Sequence, residues 1–304
     1  MNAPKTTIEL YRAYVQRHRL DWQWATGYAK DVAMRHWLRI VGDQKLSEVD
    51  SFAVDKYRAG LRQEVKATSV NSYVRSLRPV FAWAELHGWC PNPFSGSKKL
   101  REPEKAIATF RDDQIEMILA HTNQIWRRRI LAAVESGLRF GEIVHLRSTD
   151  VDFSRDIITI RPHDASDHDF LWQPKHGKSR AVPLCAQLRL ALESTETPYP
   201  FLTKARYHRL LELRACNKLG PRVAQKLDEN RRPWSLCLEA CDIHDLTFHD
   251  LRRTAITRWS RQMPPQDLIK LAGHADIKTT MQYYARPSDD IFDIARIGAT
   301  GSER

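Results

Sequence analysis

His249-Asp250-Leu251-Arg252-Arg253-Thr254 begins the stretch whose reading decides the fold, and it continues through Leu271-Ala272-Gly273-His274 to Thr279-Thr280-Met281-Gln282-Tyr283-Tyr284. His249 and Arg252 are three positions apart, so on a helix they share a face. Arg253, four positions from His249, competes for that place. Tyr283 and Tyr284 are neighbours on an expected helix and point about 100° apart, so only one can face a given group. Upstream, Ser136-Gly137-Leu138-Arg139-Phe140-Gly141-Glu142 adds an arginine on a glycine-marked turn. Alone, each piece has an ordinary reading: an arginine in a surface ion pair, or a tyrosine pair in a core. Together they form a chemical set. The planar fork of arginine grips a phosphate with two parallel hydrogen bonds and keeps its charge. A tyrosine can attack the phosphorus if a base takes its proton, and a histidine can serve as that base. Clustered guanidinium charge is expected to lower the tyrosine pKa. Glu142 and Asp250 are expected to orient arginines or backbone rather than to react.

The rest of the chain suits that chemistry. It has 304 residues, 42% hydrophobic and 28% charged, with a net charge of +11. That length suggests two domains, and the charge suits a polyanionic partner. Residues 1–100 hold 16 Lys and Arg against 9 Asp and Glu, so the positive charge is concentrated there. No stretch approaches the roughly 20 apolar residues that cross a bilayer. The odd, scattered set of five cysteines argues against a disulfide framework. The expected compartment is a reducing cytoplasm, with no membrane partner.

Apolar spacing predicts four helices over residues 6–90. Thr6 or Thr7 caps the first. Thr26 caps the second, which runs through Met34, Trp37, Leu38 and Val41 to Gly42. Val54, Tyr57 and Leu61 mark the third, and Val70 to Ala84 the fourth, where Pro79 is expected to kink or split it. Pro91-Asn92-Pro93 ends this run, and residues 94–106 read as a linker. Beyond it, Asp112 caps a helix, a second runs from about Ile125 to Ser136, and Arg139 sits in the turn before a third. The period then changes to two. Residues 157–160, 170–172 and 180–183 are expected to form a small antiparallel sheet. From about Cys185 the chain is helical again, apart from the Pro- and Arg-rich stretch 221–235. The fold class is therefore mainly α with a small antiparallel β-sheet.

These motifs resemble those of the tyrosine recombinases of the phage integrase family. Gly137-Leu138-Arg139-Phe140-Gly141-Glu142 matches the family's Gly-Leu-Arg-x-x-Glu turn. His249-Asp250-Leu251-Arg252 matches its His-x-x-Arg box. Leu271-Ala272-Gly273-His274 matches its Leu-Gly-His segment with one alanine inserted, and Tyr283 lies nine positions after that histidine, where the family has its nucleophile. The resemblance implies a helical core-binding (SAM-like) domain over residues 1–93, a linker over 94–106, and an α+β catalytic domain over 107–304 that ends in a C-terminal interaction helix around 289–297. It implies catalytic roles for Arg139, His249, Arg252, His274 and Tyr283, and for a hairpin lysine that protonates the leaving oxygen. Lys175 matches that position better than Lys178. The implied activity is site-specific cutting and rejoining of DNA through a 3′-phosphotyrosyl intermediate, with no cofactor, metal or ATP. The implied partners are double-stranded DNA with specific sites, a homo-tetramer on that DNA, and accessory DNA-bending proteins, in a bacterial or phage setting. Arg58, Arg62, Lys66, Arg75 and Arg78 are candidate phosphate contacts, with the two domains forming a clamp on the duplex.

Two other functions fit some of the residues. A type IB topoisomerase-like enzyme would use the same attack but reseal the same strand. A DNA-binding regulator would keep the scaffold without the chemistry. Two metal readings are weaker still. The inserted loop His163-Asp164-Ala165-Ser166-Asp167-His168-Asp169 carries ligand-type side chains, but its spacing fits no named site. Cys237, Cys241, His244 and His249 lack a Cys-x-x-Cys pairing and would take His249 from the phosphate.

Overall fold

The computed structural model describes residues 3–285 except 104, 105, 167, 168, 176, 194 and 196. The chain divides into two compact units, Met1–Lys105 and Ala106–Arg304.

The first unit holds α1 (Thr7–His18), α2 (Trp24–Ile40), α3 (Ser51–Glu64) and α4 (Ala67–Leu86). The Thr6 hydroxyl accepts from the Glu9 amide, and the Asp50 carboxylate accepts from the Ala53 amide, so two helix starts have side-chain caps. α2 begins at Trp24, ahead of Thr26, so Thr26 is not its cap. The core is aromatic: Trp37 lies 5.2 Å from Tyr57, 5.4 Å from Phe81 and 5.9 Å from Phe94 between ring centres. α4 runs through Pro79 without a break. Pro79 is exposed, so water can solvate the carbonyl that its missing N–H leaves unpaired.

The expected linker is bound to this unit along part of its length. Phe94 is buried in the core. Asn71 donates to the Leu100 carbonyl and accepts from the Leu100 amide, both at 2.9 Å. Arg78 donates to the Ser97 carbonyl at 2.7 Å and Arg58 to the Lys98 carbonyl at 3.0 Å.

The second unit opens with α5 (Asp112–Ala120), α6 (Gln124–Val134) and α7 (Phe140–His145). Three strands follow: β1 (Val151–Asp152), β2 (Ile157–Ile160) and β3 (Arg180–Pro183). They form an antiparallel sheet in the order β1-β2-β3, with Val151 opposite Ile158 and Ile158 opposite Val182. The helices α8 (Ala186–Leu192), α9 (Lys204–Ala215), α10 (Pro221–Gln225), α11 (Arg231–Ala240), α12 (Phe248–Ser260), α13 (Pro265–Ala272) and α14 (Ile277–Tyr284) complete it. α12 packs on α6 and also touches α13 and α14. Ile158, Ile160 and Val182 point from the sheet into the core they share with α6 and α12.

Three expectations fail here, the first because Asp112 lies inside α5 and Arg111 takes the cap position. Residues 170–172 are not a strand: only the isolated bridge between His163 and Trp172 forms. Phe170 instead packs edge-on to Tyr199, and Trp172 stacks on His145 at 5.1 Å, so their burial comes from two ring contacts rather than a ladder. The stretch 221–235 is partly helical, in α10 and α11. Pro221 and Pro233 both sit in first turns, where a missing N–H costs no helical hydrogen bond.

Candidate active site

Three segments of the second unit meet at one place: the turn between α6 and α7, the start of α12, and the α13–α14 junction. Gly137 turns the chain with φ of +60°, a conformation that suits glycine. Arg139 then starts α7, its amide donating to Glu142 Oε2 and its guanidinium to Glu142 Oε1, both at 2.8 Å. Thr247 and Asp250 form a capping box that fixes the first turn of α12. That turn carries His249, and Arg252 follows directly after it on the same face.

Arg252 is the buried arginine of its pair, 2% exposed. Its guanidinium donates to the carbonyls of Gly137 and Ala272. Arg139 Nη2 donates to the next carbonyl, that of Gly273, at 3.0 Å. Both arginines thus converge on the C-terminal end of α13, whose carbonyls attract cations. Arg253 is more exposed and is tied to Asp250 at 2.6 Å, so it does not take the central place. Each guanidinium has five N–H donors, more than these bonds use, and so retains capacity for an anion.

Gly273, with φ of +61°, ends α13 in the left-handed region and leads directly into His274. His274 Nδ1 is 3.0 Å from the Thr280 hydroxyl. Its ring lies 6.0 Å from that of Tyr283, with the planes 20° apart. Thr280 and Tyr283 are three residues apart on α14 and face the same way. Tyr284 turns elsewhere, its hydroxyl donating to the Met263 carbonyl at 2.5 Å. The structure therefore separates the two tyrosines: Tyr283 faces His274 and the arginines, and Tyr284 does not.

The electrostatics follow from this packing. Burial, then the neighbouring Arg139 charge, lower the Arg252 pKa to about 9, against the opposing pull of Glu142. Burial, then the charges of Arg252 and Arg139, push His274 down to about 4. His249 has an exposed edge, but its packed surroundings and the charges of Arg252 and Arg253 hold it near 4 as well. Burial would raise Glu142, but the Arg180 and Arg139 ion pairs outweigh it and hold the carboxyl at about 2. The expectation for tyrosine is corrected: burial raises Tyr283 above its ordinary value, and the nearby arginines offset that only in part.

Lys175 and Lys178 are both exposed in the loop before β3. Both line a cavity of about 880 Å³ that His274, Gly273 and Arg180 also line. The structure brings both lysines to the edge of the site and does not separate them. Glu142 acts as expected, as an orienter, and Asp250 likewise caps α12 and holds Arg253. Sequence reasoning missed Arg180, whose two guanidinium nitrogens donate to the two oxygens of Glu142 at 2.8 and 2.7 Å. The signal was present: Arg180 shares the inward register of Val182, where an arginine requires an acidic partner.

Of the side chains in the two metal readings, Asp167 and His168 lie outside the described residues. His163 is buried against Asp150 at 2.9 Å. His244 is exposed and bonded to Asp242. Among the described residues no three His, Cys, Asp or Glu side chains are placed to hold an ion.

Residues 108–290 match the phage integrase family. The chain belongs to that family. Its integrase segment therefore contains every one of the converging side chains. A putative integrase/recombinase of Haemophilus influenzae is 25% identical over 269 residues, covering 84% of this chain and 78% of that protein. Tyrosine recombinase XerC of Pseudomonas syringae pv. tomato is 23% identical, covering 88% of this chain and 84% of that protein. Among solved structures, the Tn1549 transposon integrase with transposon right end DNA superposes with a TM-score of 0.69 at 19% identity, over 97% of this chain and 99% of that one. A lambda integrase dimer bound to a core site gives 0.68 at 16% identity, over 90% and 97%. This integrase-family chain is a tyrosine recombinase with the family's fold, mainly helical with one small antiparallel sheet.

Proposed function

We propose that this recombinase cuts and rejoins DNA at specific sites by transferring the scissile phosphate to Tyr283. The observation that carries this reading is that Arg139 and Arg252 bind consecutive carbonyls immediately before His274, whose ring faces Tyr283. A phosphate beside that junction would lie against two guanidinium groups. These would stabilise the added negative charge as the phosphorus becomes five-coordinate. The buried Tyr283 hydroxyl is held protonated, so its attack needs a base. The neutral imidazoles of His274 and His249 meet that need. The Tyr283 oxygen bonds to phosphorus, the bond to the 5′-oxygen breaks, and that oxygen takes a proton from Lys175, or from Lys178. A 5′-hydroxyl from a partner strand reverses the step. The ester keeps the bond energy, so the cycle calls for neither ATP nor a metal.

Double-stranded DNA is the proposed partner, and solved relatives are described in complexes with DNA, among them a lambda integrase tetramer on a Holliday junction. A homo-tetramer on DNA, accessory DNA-bending proteins and a cytoplasmic setting belong to the same reading. Among the described residues no helix is long and apolar enough to cross a membrane. The expected C-terminal interaction helix lies outside the described residues.

The test uses a nicked suicide substrate that traps the covalent intermediate. Wild-type protein and Tyr284→Phe are expected to form a protein–DNA adduct, and Tyr283→Phe to form none. An adduct with Tyr283→Phe would remove Tyr283 as nucleophile. Relaxation of a plasmid that lacks any paired site would favour a topoisomerase instead.

A further inference from the structure

Arg180 is the first residue of β3 and follows directly on the loop that carries Lys175 and Lys178. Its side chain is only 9% exposed. Both of its terminal nitrogens go to Glu142, and Nε donates to the Leu271 carbonyl at 3.2 Å. The same Glu142 accepts from Arg139. The carbonyls of residues 271, 272 and 273 are thus bound in succession by Arg180, Arg252 and Arg139. The fit over the glycine is close: a Cβ at Gly273 would lie 2.9 Å from Arg180 Cδ. β3 would need only an apolar side chain at this inward position. An arginine there fastens the end of the lysine loop to the same carboxylate that orients Arg139.

We propose that Arg180 is a positioning residue of the cleavage step, holding the lysine-bearing loop against the two-arginine clamp so that its ammonium reaches the leaving 5′-oxygen. This rests on the phosphotyrosyl reading above. It assigns Arg180 an effect exerted through the proton donor, and that effect has a chemical signature. A 5′-oxygen needs a proton as it leaves. A 5′-sulfur leaves as a thiolate, because thiols have a pKa of about 8.5 and need no acid near neutrality.

The experiment compares covalent adduct formation by full-length protein on two suicide substrates, one ordinary and one with a 5′-bridging phosphorothiolate. Positioned acids contribute roughly 10²–10⁴-fold. Arg180→Gln is therefore expected to lose on the order of 10²-fold on the ordinary substrate but less than about tenfold on the sulfur-bridged one. Equal losses on both substrates would overturn the proposal, because the defect would then lie in the phosphate clamp. An undiminished rate on the ordinary substrate would overturn it too. If Arg180→Gln does not melt as a folded protein, Arg180→Lys, which keeps the charge but only one contact, is read on the same pair, and the ratio decides in the same way. Wild-type protein that forms no adduct on either substrate is a separate result, and it sinks the phosphotyrosyl reading itself.

Discussion

Two imidazoles face a group of guanidinium charges, and their protonation follows from that. His249 and His274 are both held near pKa 4, below the ordinary value of 6.5, as is the buried His145. In the unfolded chain these rings return to about 6.5. Between pH 4 and 6.5 the unfolded state therefore binds more protons than the folded one, so stability rises with pH across that window and falls as acid is added. The melting temperature of DNA-free protein is expected to drop steadily from pH 6.5 to 4. In an NMR titration the His274 ring should turn over near pH 4, and at a higher pH when DNA places a phosphate beside it. A His274 midpoint near 6.5 in the free protein would contradict the proximity of the arginines. Side chains whose relation is local were legible in the sequence: His249 and Arg252 share a face because a helix places residues three apart together. Two features were missed. Burial of Tyr283 depends on how α14 packs against α12 and α13, so its raised pKa was missed. Arg180 meets Glu142 only through the sheet, across 38 positions of sequence.

The turn between α6 and α7 was also legible, because Gly137 breaks a helical pattern just before Arg139. Its cost of substitution comes from two sources. The residue has φ of +60°, which an L side chain adopts at a cost of roughly 1–2 kcal/mol. A Cβ would also lie 2.6 Å from the Trp259 ring, and crowding of that kind costs about 1 kcal/mol or more. Gly137→Ala is therefore expected to lower unfolding free energy by roughly 2–3 kcal/mol in a urea titration. A midpoint equal to that of wild type would show that the turn is not held as described. Elements whose signal is an apolar pattern of one clear period, such as α3, α4 and β2, were read within a few residues. Elements that borrow their burial from elsewhere were not. Residues 170–172 form a short apolar run that resembles a strand, yet Phe170 and Trp172 serve different ring contacts. Prolines were over-read three times: Pro79, Pro221 and Pro233 all lie within helices, at an exposed position or in a first turn.

Positive charge is unevenly divided between the two units, and the first carries an excess that its own folding does not explain. Arg58, Arg75, Arg78, Lys98 and Lys99 line one groove of about 620 Å³ between α3, α4 and the bound segment 97–102. Arg58 and Arg78 also hold that segment by its carbonyls, so the groove keeps its shape without a ligand. Glu102 in the same groove pairs with Lys99 at 3.1 Å, and Asp55 pairs with Arg58 at 3.4 Å; the positive charge left over attracts a polyanion, and the proposed DNA partner would neutralise it by displacing counterions. Each neutralised duplex phosphate contributes about −0.9 to the slope of log K against log salt concentration. Replacing Arg75 and Lys98 together by alanine removes two cations from the groove. The slope for binding to a duplex should become shallower by about two, with affinity falling similarly for every sequence tested. The check is fluorescence anisotropy from 50 to 300 mM salt with site and non-site duplexes. A loss confined to one sequence would mean that these side chains read bases, and an unchanged slope would mean that the groove does not face DNA.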